Sequence, residues 1–271
     1  MRSSLVLSAL SLAALAGCGS ATASGAGTPA VDGQGRVHKV QSLKADCMKQ
    51  KGFRYVPFVY PGPVGDEEKA LTGDYAAMKA ERGKHGFGVF AHYVYRNLAK
   101  PDKPDPNMDI YNRLSTAQRK PYTAANEACE MQATKQVTGK DVKSFRTLGE
   151  QYDQRLTQAK TRELDGDPRL VELGSAMADC LAGKGYRVSS TKPTLLATRG
   201  RAEFEKRRAG MADDSGDMSG ITADQARPHL GKEIKAALDD LECGRRFYPV
   251  FAPKERAVER TINDEFGMPS L

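Results

Sequence analysis

Residues 45–55 read ADCMKQKGFRY, and residues 178–188 read ADCLAGKGYRV. The shared frame is a cysteine, four residues, then glycine, an aromatic and a basic or apolar exit. It constrains the fold because each part has a meaning at the end of a helix. Upstream of the first copy, Val40, Leu43 and Cys47 keep the three-to-four spacing of one helix face. Gly52 then supplies the left-handed residue that stops a helix, and Phe53 the apolar contact just beyond it. Upstream of the second copy, Asp167 is an N-cap with Pro168 in the first turn. Leu170, Leu173, Met177 and Cys180 carry the face on, and Gly185 and Tyr186 close it. Two equivalent helix ends are expected, each with a cysteine near its stop.

Each of those cysteines has a later counterpart. Cys129 follows Cys47 by 82 residues, and Cys243 follows Cys180 by 63. The simplest arrangement pairs Cys47 with Cys129 and Cys180 with Cys243, tying the first helix of each half to its last. The competing arrangement, Cys47–Cys180 with Cys129–Cys243, would join the halves. Closing loops of these lengths is worth about 4 kcal/mol each on the chain-entropy model. That matters in a chain with no Trp and only 7% aromatic residues. No C-x-x-C pair occurs, which argues against a thioredoxin-type redox motif or a zinc knuckle.

The chain opens MRSSLVLSALSLAALAGC. One Arg, then a short apolar stretch, has the layout of a secretory signal peptide and is too short to span a bilayer. Its end, Leu15-Ala16-Gly17-Cys18, resembles the lipobox of bacterial lipoproteins. The resemblance implies cleavage after residue 17 and a diacylglyceryl group on Cys18, a stable two-chain anchor. Residues 18–36 are small, polar and Gly-rich and read as a flexible tether. Cleavage would remove one Arg from a net charge of +7. A moderately basic exported domain suits anionic headgroups or wall polymers. Its location argues against a nucleic-acid partner.

About 235 residues remain, enough for one large domain or two small ones. Helices are expected from Asp66 to about Arg82, from Ser115 with Gln118 as a capping box, and from Pro121 through Tyr122, Ala125 and Cys129. An amphipathic stripe runs over 141–164, and helices follow from Thr222 with Gln225 and over 253–266. Short strands are expected at 53–59, 86–95 and 186–189, and loops at 99–109 and 212–220. The expected fold is mainly α: two pseudo-repeated helical halves with a few short strands, stapled by disulfides. The first half covers 37–140, a long connecting helix 141–166, and the second half 167–271.

Chemical motifs are sparse. His85-Gly86-Phe87-Gly88-Val89-Phe90-Ala91-His92 draws attention, but two histidines seven apart on a strand face opposite ways. We read no metal site there, and no cofactor site elsewhere. The glycines suit tight turns or close backbone approach. His85, Gly86, Phe87, Gly88 and His92 form the candidate loop for a partner or ligand. No phosphate-cradling loop, no G-x-S-x-G elbow and no H-E-x-x-H occurs. The pairs Glu67-Glu68 and Asp239-Asp240 read as helix-end charge and a solvated face. Residues 199–208, RGRAEFEKRR, read as a solvated helix face with Glu203 and Arg207 one turn apart.

The lipobox, the Ala/Gly-rich tether and the C-x₄-G-[FY] helix ends together resemble uncharacterised exported lipoproteins of the actinobacterial type. Asn107, Tyr111, Leu114-Ser115, Tyr122 and Ala125, ahead of a Cys-bearing helix, are similar to a segment of such proteins. The resemblance implies an envelope location and carries no catalytic residues. The expected function is a non-enzymatic, lipid-anchored binding module on the extracytoplasmic face of the cell membrane. Its partner would be an envelope protein or an anionic wall polymer. The alternatives are an acid-residue hydrolase acting on wall or small-molecule substrates, and a solute-binding lipoprotein. The last class needs alternating strands and helices, which the sequence lacks.

Overall fold

The computed structural model describes residues 33–95, 103–212, 216, 218 and 220–269. Cys18 and the leader lie outside the described residues. Among the described residues eleven α-helices follow one another: α1 (Gly33–Gln50), α2 (Asp66–Leu71), α3 (Tyr75–His85), α4 (Ala91–Val94), α5 (Pro106–Asn112), α6 (Thr116–Thr138), α7 (Phe145–Lys160), α8 (Pro168–Gly183), α9 (Pro193–Ala209), α10 (Ala223–Cys243) and α11 (Tyr248–Phe266). A π-helical turn, Thr161–Asp165, extends α7. The fold is mainly α and carries both expected disulfides, Cys47–Cys129 and Cys180–Cys243.

The repeated motif builds the same helix stop twice. Gly52 and Gly185 take φ of 82° and 84°. The Phe53 amide donates to the Met48 carbonyl at 2.9 Å, and the Tyr186 amide to the Leu181 carbonyl at 3.0 Å. These are the long bonds of a Schellman cap. Each aromatic then reaches the helix that its disulfide recruits. Phe53 packs edge-on against Tyr122 of α6, and the Tyr186 hydroxyl donates to Asp239 of α10. Each cap and its disulfide thus act on one helix pair.

None of the three expected strands forms among the described residues. Residues 53–60 are extended but pair with no second backbone. Instead Asn107 takes the strand's place: Val56 N–H donates to its Oδ1, and its Nδ2 donates to the Val56 carbonyl, both at 2.9 Å. Residues 86–95 turn at Gly86 and Gly88, both at positive φ, and then coil into α4. Residues 186–189 are the irregular link between α8 and α9.

Helix boundaries moved for local reasons. The run from Asp66 breaks at Gly73, φ 88°, where a Cβ would come within 2.6 Å of the Tyr248 carbonyl. Asp74 then recaps α3 by accepting from the Ala77 amide at 2.8 Å. Pro121 starts no new helix; α6 runs through it from its Ser115–Gln118 capping box. The expected loop at 99–109 ends in α5, because Asp105 caps it and Pro106 occupies its first turn. The last helix begins at Tyr248, ahead of the expected 253, with a proline in its first turn.

Packing interleaves the chain. Met78 of α3 lies in one cluster with Leu173, Met177 and Leu181 of α8, Leu241 of α10 and Phe251 of α11. Val89, Phe90 and Ala91 pack with Phe204 of α9 and Leu230 of α10. In the other direction, Ile262 and Phe266 of α11 pack against Met131 of α6 and Leu148 of α7. Fully buried leucines and phenylalanines of this kind stabilise by about 1.5–3 kcal/mol each.

Candidate functional site

A cleft of about 340 Å³ opens where α1, the extended 53–60 segment, α5 and α6 meet. Its position follows from two local decisions. The first stop turns the chain after α1, and Asn107 pins the extended segment across α5. Tyr55, Tyr111 and Tyr122 supply aromatic wall, with Asn107 and Asn126 as amides. The body of Tyr122 is buried, and its ring lies 5.8 Å from that of Tyr111. Lys44 lies at the floor, 6% exposed, paired with Glu130 at 2.7 Å and 4.5 Å from the centre of the Tyr55 ring. A lysine is buried like this only when its charge is met. Tyr55 donates to Gln41 Oε1 at 2.8 Å. Burial, with the Glu130 and Asp105 carboxylates behind it, holds the Tyr55 phenol well above its ordinary range. Burial also raises the Tyr122 phenol. Both phenols therefore stay neutral and serve as hydrogen-bonding groups. The Asn126 side chain makes no hydrogen bond to any described residue, which leaves its amide for a ligand.

The acids of this cleft are already engaged. Asp105 Oδ1 accepts from the backbone amide and the side-chain amide of Asn107, each at 2.8 Å. Glu130 faces Lys44. The arrangement offers stacking and hydrogen bonding to a bound group.

No family model, curated protein or solved structure matches the chain. The reading of the site therefore rests on geometry alone.

The Gly/His loop carries an internal contact that the sequence did not show. Its backbone amides point inward and cradle a carboxylate of the protein itself. Phe87 and Val89 N–H donate to Glu233 Oε1 at 2.9 and 2.7 Å, and Phe90 N–H to Oε2 at 2.9 Å. Gly86 is required there, since a Cβ would sit 2.7 Å from Glu233 Cγ. Burial pushes the Glu233 carboxyl up, and the three amides work against that rise. His85 ends α3 with Nδ1 on Glu81, while His92 lies in α4 with its ring on Tyr93. The two histidines converge on nothing, and no metal-holding group of three or more His, Cys, Asp or Glu occurs among the described residues.

One turn or two further along α10, a second carboxylate is buried. Asp240 is fully buried, which corrects the solvated-face reading of the Asp239-Asp240 pair. Its Oδ1 accepts from Arg82 Nη1 at 2.6 Å and from the Tyr248 hydroxyl at 2.5 Å. Burial and the Asp240 charge raise the Tyr248 phenol far above its usual value. Burial alone would lower the Arg82 guanidinium, but Tyr248 and Asp240 hold it up. Arg199 Nη2 stands 3.8 Å from Asp240 Oδ2. The cluster locks α3, α9, α10 and α11 together. Asp239, by contrast, is partly exposed and is held well below the carboxylate range by Lys235, Tyr186 and Lys184.

Sequence reasoning passed over Glu233 and Asp240, yet a signal existed. Ala226, Leu230, Glu233, Ala237 and Asp240 share one helical stripe, and the acids stand where apolar residues belong. Lys44 and Tyr55 had no such mark.

Proposed function

We propose that the protein is a lipid-anchored, extracytoplasmic binding module of the bacterial cell envelope, and that the Tyr-lined cleft receives an envelope protein partner. The observation that carries this reading is the cleft itself: three tyrosines, a free amide at Asn126 and an ion pair at the floor. Tyrosine-rich patches dominate protein–protein binding because they bury much area at little conformational cost. The volume suits one or two side chains of a partner. The two disulfides agree with an oxidising compartment outside the cytoplasm. No described helix is long and apolar enough to cross a membrane. Membrane attachment would therefore fall to the proposed lipid on Cys18.

The test combines both claims in intact cells. Labelled palmitate enters the wild-type protein and not Cys18→Ala. Crosslinking recovers one partner with the wild type, and Tyr111→Ala or Asn126→Ala reduces recovery about tenfold, the cost of one interface anchor. Equal recovery by the cleft variants would overturn the site. Turnover of a wall substrate by the purified protein, with no partner recovered, would replace the binding reading with the hydrolase alternative.

A further inference from the structure

We propose that the cleft between α9 and the segment joining α8 to α9 is a second binding site, and that it takes a phosphate group borne by a larger ligand. The cleft measures about 680 Å³ and is lined by Arg187, Arg199, Lys206 and Arg207, with Glu203 the single carboxylate in its wall. A neighbouring recess of about 250 Å³ shares Arg199 and adds the Ser190 and Thr198 side chains. Charges of one sign in a low-dielectric groove concentrate anions.

Intrahelical pairing explains only part of this surface. Arg207 is paired with Glu203, and Arg201 with Glu205 at 2.9 Å, as expected for a solvated face. Arg187 and Lys206 have no partner among the described residues. Arg199 forms the wall behind them. Its side chain is only 10% exposed, yet Nε and Nη2 make no hydrogen bond. Asp240 Oδ2 is beyond hydrogen-bonding reach at 3.8 Å, and its other oxygen already serves Arg82 and Tyr248. Glu203 Oε2 touches only Nη1, at 3.5 Å. Nε and Nη2 are both closed to solvent and the charge is met by Asp240 and Glu203, so Arg199 backs the groove without offering it a free donor. The ring of Tyr186, 5.3 Å away, and the pull of Asp240 keep the planar fork in one orientation. Arg187 and Lys206, exposed and unpaired at the groove, are the donors that meet the phosphate oxygens, and Arg207 stands beside them.

Two sources carry such a group outside the cytoplasm: an anionic lipid headgroup and a polyol-phosphate wall polymer. The choice between these sources rests on the envelope reading; the phosphate chemistry does not. The test begins with calorimetric titration of the purified protein with inorganic phosphate and with glycerol phosphate. Saturable binding is expected, and chloride at matched ionic strength gives none. Arg187→Ala/Arg207→Ala, both exposed positions, weakens binding about tenfold or more with an unchanged melting temperature in the absence of phosphate. Lys206→Ala removes the other unpaired cation of the groove and weakens binding as well. Absence of saturable binding, or unchanged binding in the double variant, overturns the proposal.

The source is then read with the Cys18→Ala chain, so that no lipid anchor contributes. It is mixed with phosphatidylcholine vesicles, with the same vesicles containing phosphatidylglycerol, and with soluble poly(glycerol phosphate). Retention that depends on phosphatidylglycerol and on Arg187 and Arg207 assigns the headgroup. Retention on the polymer alone assigns the wall. Binding to neither, or binding that persists in the double variant, again overturns the site. Any of these failures leaves the Tyr-lined cleft untouched, because partner recovery there is read through Tyr111 and Asn126.

Discussion

Replacing Glu233 tests what the glycine loop is for. The side chain is fully buried, and its two oxygens accept from the backbone amides of Phe87, Val89 and Phe90 at 2.7–2.9 Å. Glu233→Ala leaves all three donors without an acceptor. Each orphaned amide costs about 1–3 kcal/mol. The loop can relax around them, so we take the low end for the three and expect a loss of about 3 kcal/mol. Glu233→Gln is the sharper variant. Its Oε1 still serves Phe87 and Val89, while its Nε2 brings a donor against the Phe90 donor. One lost acceptor and one donor–donor contact predict a loss of about 2 kcal/mol. The order of stability is therefore wild type, then Gln, then Ala. Urea unfolding of the purified protein followed by circular dichroism gives the free energies. Amide hydrogen exchange gives the location, since Phe87, Val89 and Phe90 should lose protection ahead of the rest of the core. An Ala variant within about 1 kcal/mol of wild type, or a Gln variant less stable than Ala, would refute the claim that these amides are what the carboxylate serves.

Two further substitutions probe the same packing. Gly200 of α9 lies directly under the Phe87 ring, so a Cβ there overlaps ring carbons. Gly200→Ala gains about 1 kcal/mol of helix propensity and loses about 1–3 kcal/mol to overpacking, so the melting temperature falls. Gly231→Ala on exposed α10 has open space around the new methyl, and its melting temperature rises instead. A rise in both would show that Phe87 yields freely. Asp239 is held below its ordinary value by Lys235, Tyr186 and Lys184. The stability that it contributes is present above the unfolded-state value, about pH 4, and is lost as the pH falls through the lower folded value. Asp239→Asn therefore melts lower near neutrality and shows a flatter melting curve on acidification below about pH 4. Parallel acid profiles for the two proteins would be the contrary result.

How much of this was legible depends on the range of the interaction. The Ser115 and Thr222 capping boxes, the Asp167–Pro168 start and the Gly52 and Gly185 stops all appear where the residues place them. Each is settled within a few residues. The expected strands failed because alternation in sequence says nothing about whether a second backbone is present. At 53–60 the partner is one asparagine, 51 residues from Val56. The glycines of the Gly/His loop suggest turns or close approach; Gly88 faces open space, while at Gly86 there is a close approach. What approaches is Glu233, 146 residues from Phe87. The charged stretch 199–208 read as a solvated face because its pairs are regular, although Arg199, Gly200 and Phe204 turn inward.

By itself, then, the sequence determined the helical class and both repeated helix ends, and it favoured the disulfide pairing that the structure shows over a competing one. These depend on backbone conformation, capping and cysteine spacing, which operate along the chain. Only the tertiary structure decided that 66–94 would enter the core of α8 and α10, that α11 would return to α6 and α7, and that acids on α10 would meet the loop amides and Arg82. Such contacts join segments far apart in the chain, and no local periodicity encodes which buried face meets which. The Tyr-lined cleft and the basic cleft beside α9 both arise at those junctions, so the two proposed binding places became visible only once the helices were packed.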